Sequence, residues 1–305
     1  METRFSSVDH LRLLDSEDAC IRHLYRTKWP EGFTCPLCRH REASVIRTRR
    51  LPLYQCRKCR YQVSLTAGTV MEKSKTPLRK WFLAIYWVAF GASARHISDS
   101  IQVTYKTAWL IAHKIRRAIS LAESEVKLAG NVRVNEARYE PTSFTALFDQ
   151  SRKKHPLIAA ASISENGRIV LVKLHQVLPG DLFAGMITRD GFQSFIRHHV
   201  KPESAVQLAI GIYNSARHRP LARLCQEASR WMNETFRGLG PKHLQAYLNQ
   251  FEYRFRFESE DGASILTDLL HQCSFRPVVT YSQLIGRSAS PNKYSFSVDC
   301  MARSS

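Results

Sequence analysis

Four cysteines in two pairs, Cys35-x2-Cys38 and Cys56-x2-Cys59, with seventeen residues between the pairs, constrain this chain more than any other feature. Each pair offers two thiolates from one tight knuckle turn. Two knuckles about 15–20 residues apart supply the four sulfur ligands of a tetrahedral zinc ribbon. Pro36 and Leu37 fill the first knuckle, Arg57 and Lys58 the second. The knuckles are expected on short hairpins, with Phe33-Thr34 leading into one, Leu53-Tyr54-Gln55 into the other, and Tyr61-Gln62-Val63 leaving. A ribbon this small buries too little apolar surface to fold alone, so zinc held by Cys35, Cys38, Cys56 and Cys59 would supply most of its folding free energy. Disulfide pairing is the alternative, but a basic chain with no apparent leader points to a reducing compartment, where paired knuckles mean metal. Cys20, Cys225, Cys273 and Cys300 are far apart and read as free thiols.

The balance of 45 Lys+Arg against 26 Asp+Glu gives a formal charge of +19. That excess suggests a polyanionic partner, DNA first, more than a small neutral substrate. It is larger in residues 1–130 than in the rest. With 305 residues and 44% hydrophobic content, the chain can bury a sizeable core in two or three domains. Met1 to Leu14 mixes charges with single apolar residues, and the longest apolar run, Trp81 to Ala92, is too short to span a bilayer. A cytoplasmic protein with no membrane partner is the expectation, associated with the bacterial nucleoid when bound to DNA.

An N-terminal helix is expected in residues 1–32, capped by Ser16, ahead of a ribbon at 33–68. Pro77, at a first helical position, opens Leu78 to Phe90. Ala94 to Ile101, a break at Gln102-Val103, and Thr104 to Leu121 then form a helix-turn-helix pattern within 77–121. In the second of these helices Trp109, Ile111, Ala112, Ile115 and Ile119 can face the core. Tyr105, Lys106, Lys114, Arg116 and Arg117 can face out. Such a helix enters a major groove with its first turn near base edges and its basic residues on phosphates. The DNA-binding candidates are therefore Tyr105, Lys106, Thr107, Lys114, Arg116 and Arg117, with Arg57 and Lys58 on the ribbon. The plainer reading is an amphipathic helix with a solvated basic face.

From residue 131 to 257 the pattern is a mixed α/β domain. Val132 to Asn135, Leu157 to Ile163 and Ile169 to Leu174 read as strands, the last two joined by an Asn166-Gly167 turn. Asp181 to His199, Leu221 to Phe236 and Lys242 to Phe257 read as helices, and Ala205 to Ile210 as a buried strand. In the C-terminal extension, 258–305, Asp268-Leu269-Leu270 would end a helix and Val278 to Tyr281 would form a docking strand, with fraying over the last fifteen residues. Arg152-Lys153-Lys154-His155 could touch phosphate or simply be solvated. His198-His199 suits terminal carbonyls at a helix end. The stripe Phe251, Tyr253, Phe255, Phe257 reads as core.

Several segments together resemble the insertion-sequence transposases that join an N-terminal zinc ribbon to a DDE, ribonuclease H-like domain. They include Trp29-Pro30-Glu31-Gly32-Phe33-Thr34-Cys35-Pro36-Leu37-Cys38, Tyr54-Gln55-Cys56-Arg57-Lys58-Cys59-Arg60-Tyr61-Gln62 and Ser64-Leu65-Thr66-Ala67-Gly68-Thr69. Also matching are Trp81-Phe82-Leu83-Ala84-Ile85-Tyr86, Tyr105-Lys106-Thr107-Ala108-Trp109, and Pro241-Lys242-His243-Leu244-Gln245-Ala246-Tyr247-Leu248 with Phe251-Glu252-Tyr253-Arg254-Phe255. The similarity runs over about residues 10 to 285. It implies cutting and joining of DNA by three acids that hold two divalent ions about 4 Å apart.

At those acids the chain departs from the family. The first normally lies in a strand reading roughly Val-Glu-Val-Asp-Glu-Thr-Tyr, and this chain has Val132-Arg133-Val134-Asn135-Glu136-Ala137-Arg138. The second normally follows a strand in Thr-Asp-Gly, and the alignment puts Ala209 there. The third lies on the helix before Trp231, where Glu227 is the one acid nearby and Ser229 stands at a lysine position. A glycine pair after the first strand is missing, with Glu140-Pro141 near its place. Asn135 and Ala209 leave about one carboxylate for two hard dications, so magnesium would not bind productively. Substitution by Glu136, Asp149 or Asp190 is the opposing reading, although Glu136 would point to the other strand face. The resemblance thus implies a transposase-derived DNA-binding protein. Its alternatives are an active transposase with rearranged carboxylates, a homodimeric repressor or interaction module, and a decayed gene product.

Overall fold

The structure, a computed structural model, describes residues 15–142, 154–258 and 262–285. Asp149, Arg152, Lys153 and Cys300 lie outside them. Helix α1 spans Glu17–Lys28, and Ser16 caps it by accepting from the Ala19 N–H at 3.1 Å. Its Glu17 carboxylate reaches across the fold to accept from the Leu78 and Arg79 N–H groups at 2.9 and 2.8 Å. Those are orphan donors at the start of α2 (Leu78–Ala89). Pro77, expected inside that helix, is its N-cap and has no side chain to offer, so a distant acid does the capping.

Between these helices lies a three-stranded antiparallel sheet, β1 (Ala43–Ile46), β2 (Leu53–Cys56) and β3 (Gln62–Ser64), in that order. Phe33-Thr34 forms no strand; β1, which the sequence did not suggest, pairs with β2 instead. Tyr25, Trp29, Phe33 and Tyr54 tie the ribbon to α1, with ring centroids 5.0 to 6.0 Å apart.

Helix α3 (Ala94–Ile101) and α4 (Tyr105–Glu125) are joined by Gln102, Val103 and Thr104. Gln102 turns the chain in the left-handed region at φ 52, and Thr104 caps α4 through the Thr107 N–H at 3.3 Å. Ala108, Ile111, Ala112, Ile115 and Ile119 of α4 are buried against Trp81, Phe82, Ile85 and Val88 of α2. The same core takes Ile265, Leu266, Leu269, Leu270 and Cys273 from α8 (Gly262–Phe275), a return of the C-terminal chain to the front of the molecule. Asp268-Leu269-Leu270 is thus mid-helix. No strand forms at 278–281, where the short α9 (Tyr281–Ile285) begins.

The second half is built on four strands, β4 (Asn131–Tyr139), β5 (His155–Ile163), β6 (Ile169–Gln176) and β9 (Ala205–Ala209), in the order β6-β5-β4-β9. The first three run antiparallel and β9 runs parallel to β4. Side chains alternate between faces along each strand. Ala137, Tyr139, Leu157 and Ala159 pack under α6 (Arg219–Phe236) and α7 (Pro241–Arg256). Val132, Val134, Ile158 and Ala160 pack over α5 (Arg189–His199). The helix expected from Asp181 is shorter. A two-strand hairpin, β7 (Leu182–Phe183) and β8 (Met186–Ile187), precedes it, turned by Ala184 and Gly185 at φ 49 and 76. Thr188 then caps α5. Strand β9, expected to be buried, is the sheet's edge and largely exposed, because no fifth strand among the described residues covers it.

Helix α7 joins the halves. Gln250 donates to Val88 O at 2.7 Å and accepts from Arg116 Nε at 2.7 Å. Nearby, Lys173 of β6 places its ammonium 2.7 Å from the Glu123 carboxylate of α4 and 3.4 Å from that of Glu252. Glu252 also accepts from the Leu174 N–H at 2.5 Å. Burial raises the Glu252 pKa to about 7, against the opposing pull of Lys173.

Candidate functional site

The knuckles begin the site. Backbone bonds from Arg39 N–H to Cys35 O at 2.9 Å and from Arg60 N–H to Cys56 O at 3.1 Å close the two turns. Arg39 and Arg60 take left-handed φ values of 59 and 60 just past the second cysteine of each pair. Cys35 Sγ lies 3.6 Å from Cys59 Sγ, and Cys38 Sγ lies 3.6 Å from Cys56 Sγ. All four sulfurs fall within 4.8 Å of one another. Thiolates 2.3 Å from a central zinc would be about 3.8 Å apart at the corners of a tetrahedron, whereas a disulfide needs about 2.05 Å. The donor set fits zinc. Burial would raise the Cys35 thiol, but the Cys38 and Leu37 N–H groups point at its sulfur and hold it at about 7. Thiolate is thus favoured at Cys35.

The basic candidates on α4 do not share one surface. Tyr105 and Lys106 are exposed on the first turn, while half-buried Thr107 bonds Thr104 Oγ1 at 2.9 Å. Lys106 Nζ stands 5.5 Å from the Tyr281 ring centroid, so the start of α9 flanks that turn. Arg116, expected to face out, is 1% exposed. Its guanidinium stacks 4.1 Å from the Tyr247 ring centroid and bonds Gln250, so it is a joint between helices and not a phosphate contact. Lys114 is half-buried over Trp81, and Arg117 is half-buried. Trp109, expected in the core, is half-buried beside His113 and His243. On the ribbon, Lys58 is exposed and Arg57 pairs with Glu42 at 3.4 Å.

The sheet brings Asn135 and Ala209 together. They are register partners across the parallel β4–β9 pair, at the end of β9. Asn135 is 1% exposed and spends its amide on one residue: Nδ2 donates to His218 O at 3.0 Å, and Oδ1 accepts from the His218 N–H at 3.1 Å. It therefore clips the start of α6 to the sheet. The next residue, Glu136, points to the opposite face, where it accepts from the Gly211 N–H at 3.0 Å and lies 3.8 Å from Arg138. Asp190 is exposed on the first turn of α5, on that far face too. Glu227 is exposed on α6 and lines an open cavity of about 440 Å³ with Arg168 and Phe255, a lining that includes neither Asn135 nor Ala209. Among the described residues, the four cysteines are the one cluster of three or more His, Cys, Asp or Glu able to hold a metal ion. The donors beside Asn135 do not fit a pair of magnesium ions.

Sequence reasoning missed His218, whose role depends on a loop with no readable pattern. It also passed over Arg133, which strand alternation alone would have placed on the same face as Asn135.

A sequence profile for the transposase zinc-ribbon domain matches residues 15–62. An uncharacterized protein in transposable element ISH50 of Halobacterium salinarum is 26% identical over 293 residues, covering 84% of this chain and 96% of the relative. No solved structure matches the chain. These findings support an insertion-sequence transposase family, and with the cysteine cluster they support structural zinc.

Proposed function

We propose that this chain, a relative of proteins from transposable elements, is a transposase-derived DNA-binding protein that recognises insertion-sequence ends and has lost nuclease and strand-transfer activity. One observation carries the reading. Asn135 and Ala209, at the positions where the resemblance expects the first two acids, lie side by side, and Asn135 is committed to the backbone of His218. The sheet order β6-β5-β4-β9, three antiparallel strands and a parallel fourth reached through a helix, is consistent with a ribonuclease H-like domain around them.

The DNA-reading arm in this proposal is the ribbon with α3 and α4 acting as a helix-turn-helix. Tyr105, Lys106 and Thr107 at the start of α4 would meet base edges, with Arg57, Lys58 and Arg117 on phosphates. Magnesium chemistry has no part in it, because the residues present do not supply the carboxylates.

Band-shift titration of full-length zinc-loaded protein against a duplex carrying the parent element's ends tests the proposal. Binding that falls steeply with salt is expected. Absence of binding would sink the reading. Strand cleavage above background with magnesium or manganese would show that the acid positions have been misjudged.

A further inference from the structure

Arg133 stands two residues before Asn135 on β4, and β9 sets Gln207 beside Arg133 and Ala209 beside Asn135. By strand alternation these four side chains occupy one face. The block holds a cation, two neutral amides and a methyl, and no carboxylate. His218 closes over it, fixed through its backbone to the Asn135 amide. Arg133 Nε and His218 Nδ1 are both buried with no hydrogen-bond partner among the described residues. Burial, and then the charge of Arg133, push the His218 pKa down, so the guanidinium lies within electrostatic reach of the ring. The acid nearest in sequence, Glu136, is on the far face and already engaged by Gly211.

Two side chains that each leave one buried nitrogen unpaired among the described residues, beside a neutral amide, are the inverse of a cation site. Among the described residues they have no ion-paired carboxylate, and a guanidinium with a nearby imidazole suits an oxyanion, to which both can donate. We propose that this block is an oxyanion site, in which Arg133 and His218 take a phosphate of the DNA backbone at the place where the family would hold metal ions. The identity of the phosphate as DNA rests on the function proposed above; the oxyanion site itself does not. A phosphate held this way needs no bridging divalent ion, so engagement of DNA by this half of the molecule persists without added magnesium.

The test uses the full-length zinc-loaded protein in two arms. In the first, inorganic phosphate is titrated while the His218 imidazole NMR signal, assigned with His218→Gln, is followed. A saturable shift is expected, with affinity reduced about tenfold or more in Arg133→Gln, the size of one lost charged hydrogen bond. Gln207→Glu, a change at an exposed position of the same block, should also weaken phosphate, and it remains informative if Arg133→Gln misfolds. In the second arm, DNA binding without added divalent ion should lose about one unit of salt slope in Arg133→Gln. No phosphate-induced shift, or a shift unchanged in both variants, overturns the site even where DNA still binds. A variant-sensitive phosphate shift with no DNA binding keeps the site and overturns the DNA reading alone. Displacement of phosphate by magnesium with a shift of its own at His218 also overturns the proposal.

Discussion

Placing an acid at position 135 should destabilise the protein. In Asn135→Asp the His218 N–H keeps its acceptor, but the Nδ2 donor to His218 O at 3.0 Å is lost and a carboxylate oxygen faces that carbonyl. The site is 1% exposed, so the orphaned carbonyl costs about 1–3 kcal/mol and the buried charge adds to it, while Arg133 on the same face offsets part. A net loss of about 2–4 kcal/mol at pH 7.5 follows, or about 4–8 °C in Tm at roughly 2 °C per kcal/mol for a chain of this size. The sign with pH is definite. Burial raises the folded-state pKa of the new carboxyl above its unfolded value of about 3.9. Below that value the acid is protonated in both states and its O–H can donate to His218 O, so the deficit is smallest there. It opens as pH rises through the folded-state pKa. Thermal melts of both proteins from pH 4 to 8, with and without magnesium, measure this. Equal stability at pH 7.5 would refute the clip. Stabilisation of the unsubstituted protein by magnesium would refute the claim that the block, lacking carboxylates, does not accept cations.

Metal analysis should find one zinc per chain, and Cys56→Ser should lose it together with the cooperative melt of the ribbon, since Cys35 and Cys56 are both buried in the front core. Arg116→Met and Lys106→Ala should separate. The first should lower the urea midpoint by an amount equivalent to about 2–4 kcal/mol by breaking the Gln250 bond and the Tyr247 stack. The second should leave stability within about 0.5 kcal/mol and weaken DNA binding. Because the folded-state pKa of Glu252 is raised to about 7, its stabilising contribution is full below about pH 4.5 and is lost as pH rises through about 7. Glu252→Gln, which keeps an acceptor for the Leu174 N–H, should flatten the stability profile between pH 5 and 8; an unchanged profile would place that titration elsewhere.

The cysteine spacing was readable because four ligands to one ion leave little freedom, and the capped helices were readable because Ser16 and Thr104 act on neighbours in sequence. Strand alternation likewise indicated which way Glu136 would point. What escaped depends on distant contacts. The burial of Arg116 follows from Tyr247 and Gln250, more than a hundred residues away, and an arginine on an amphipathic helix carries no local mark of such a partner. The hairpin at 182–187 interrupts a stretch of helical periodicity through a glycine turn and a second cap. The exposure of β9 is a matter of sheet order, which periodicity does not encode.

The return of α8 to the front core makes the first half of the chain incomplete by itself. Leu266, Leu269 and Leu270 are each at most 2% exposed, and together their absence would uncover a groove along α2 and α4. During synthesis, therefore, the ribbon and its helices must wait for residues up to about 275 before their hydrophobic seam can close. A stop codon after the sheet would not release the ribbon and its helices as a folded shorter product. It would leave that seam open and prone to aggregate, so the ribbon and its helices fold only together with the segment that forms α8.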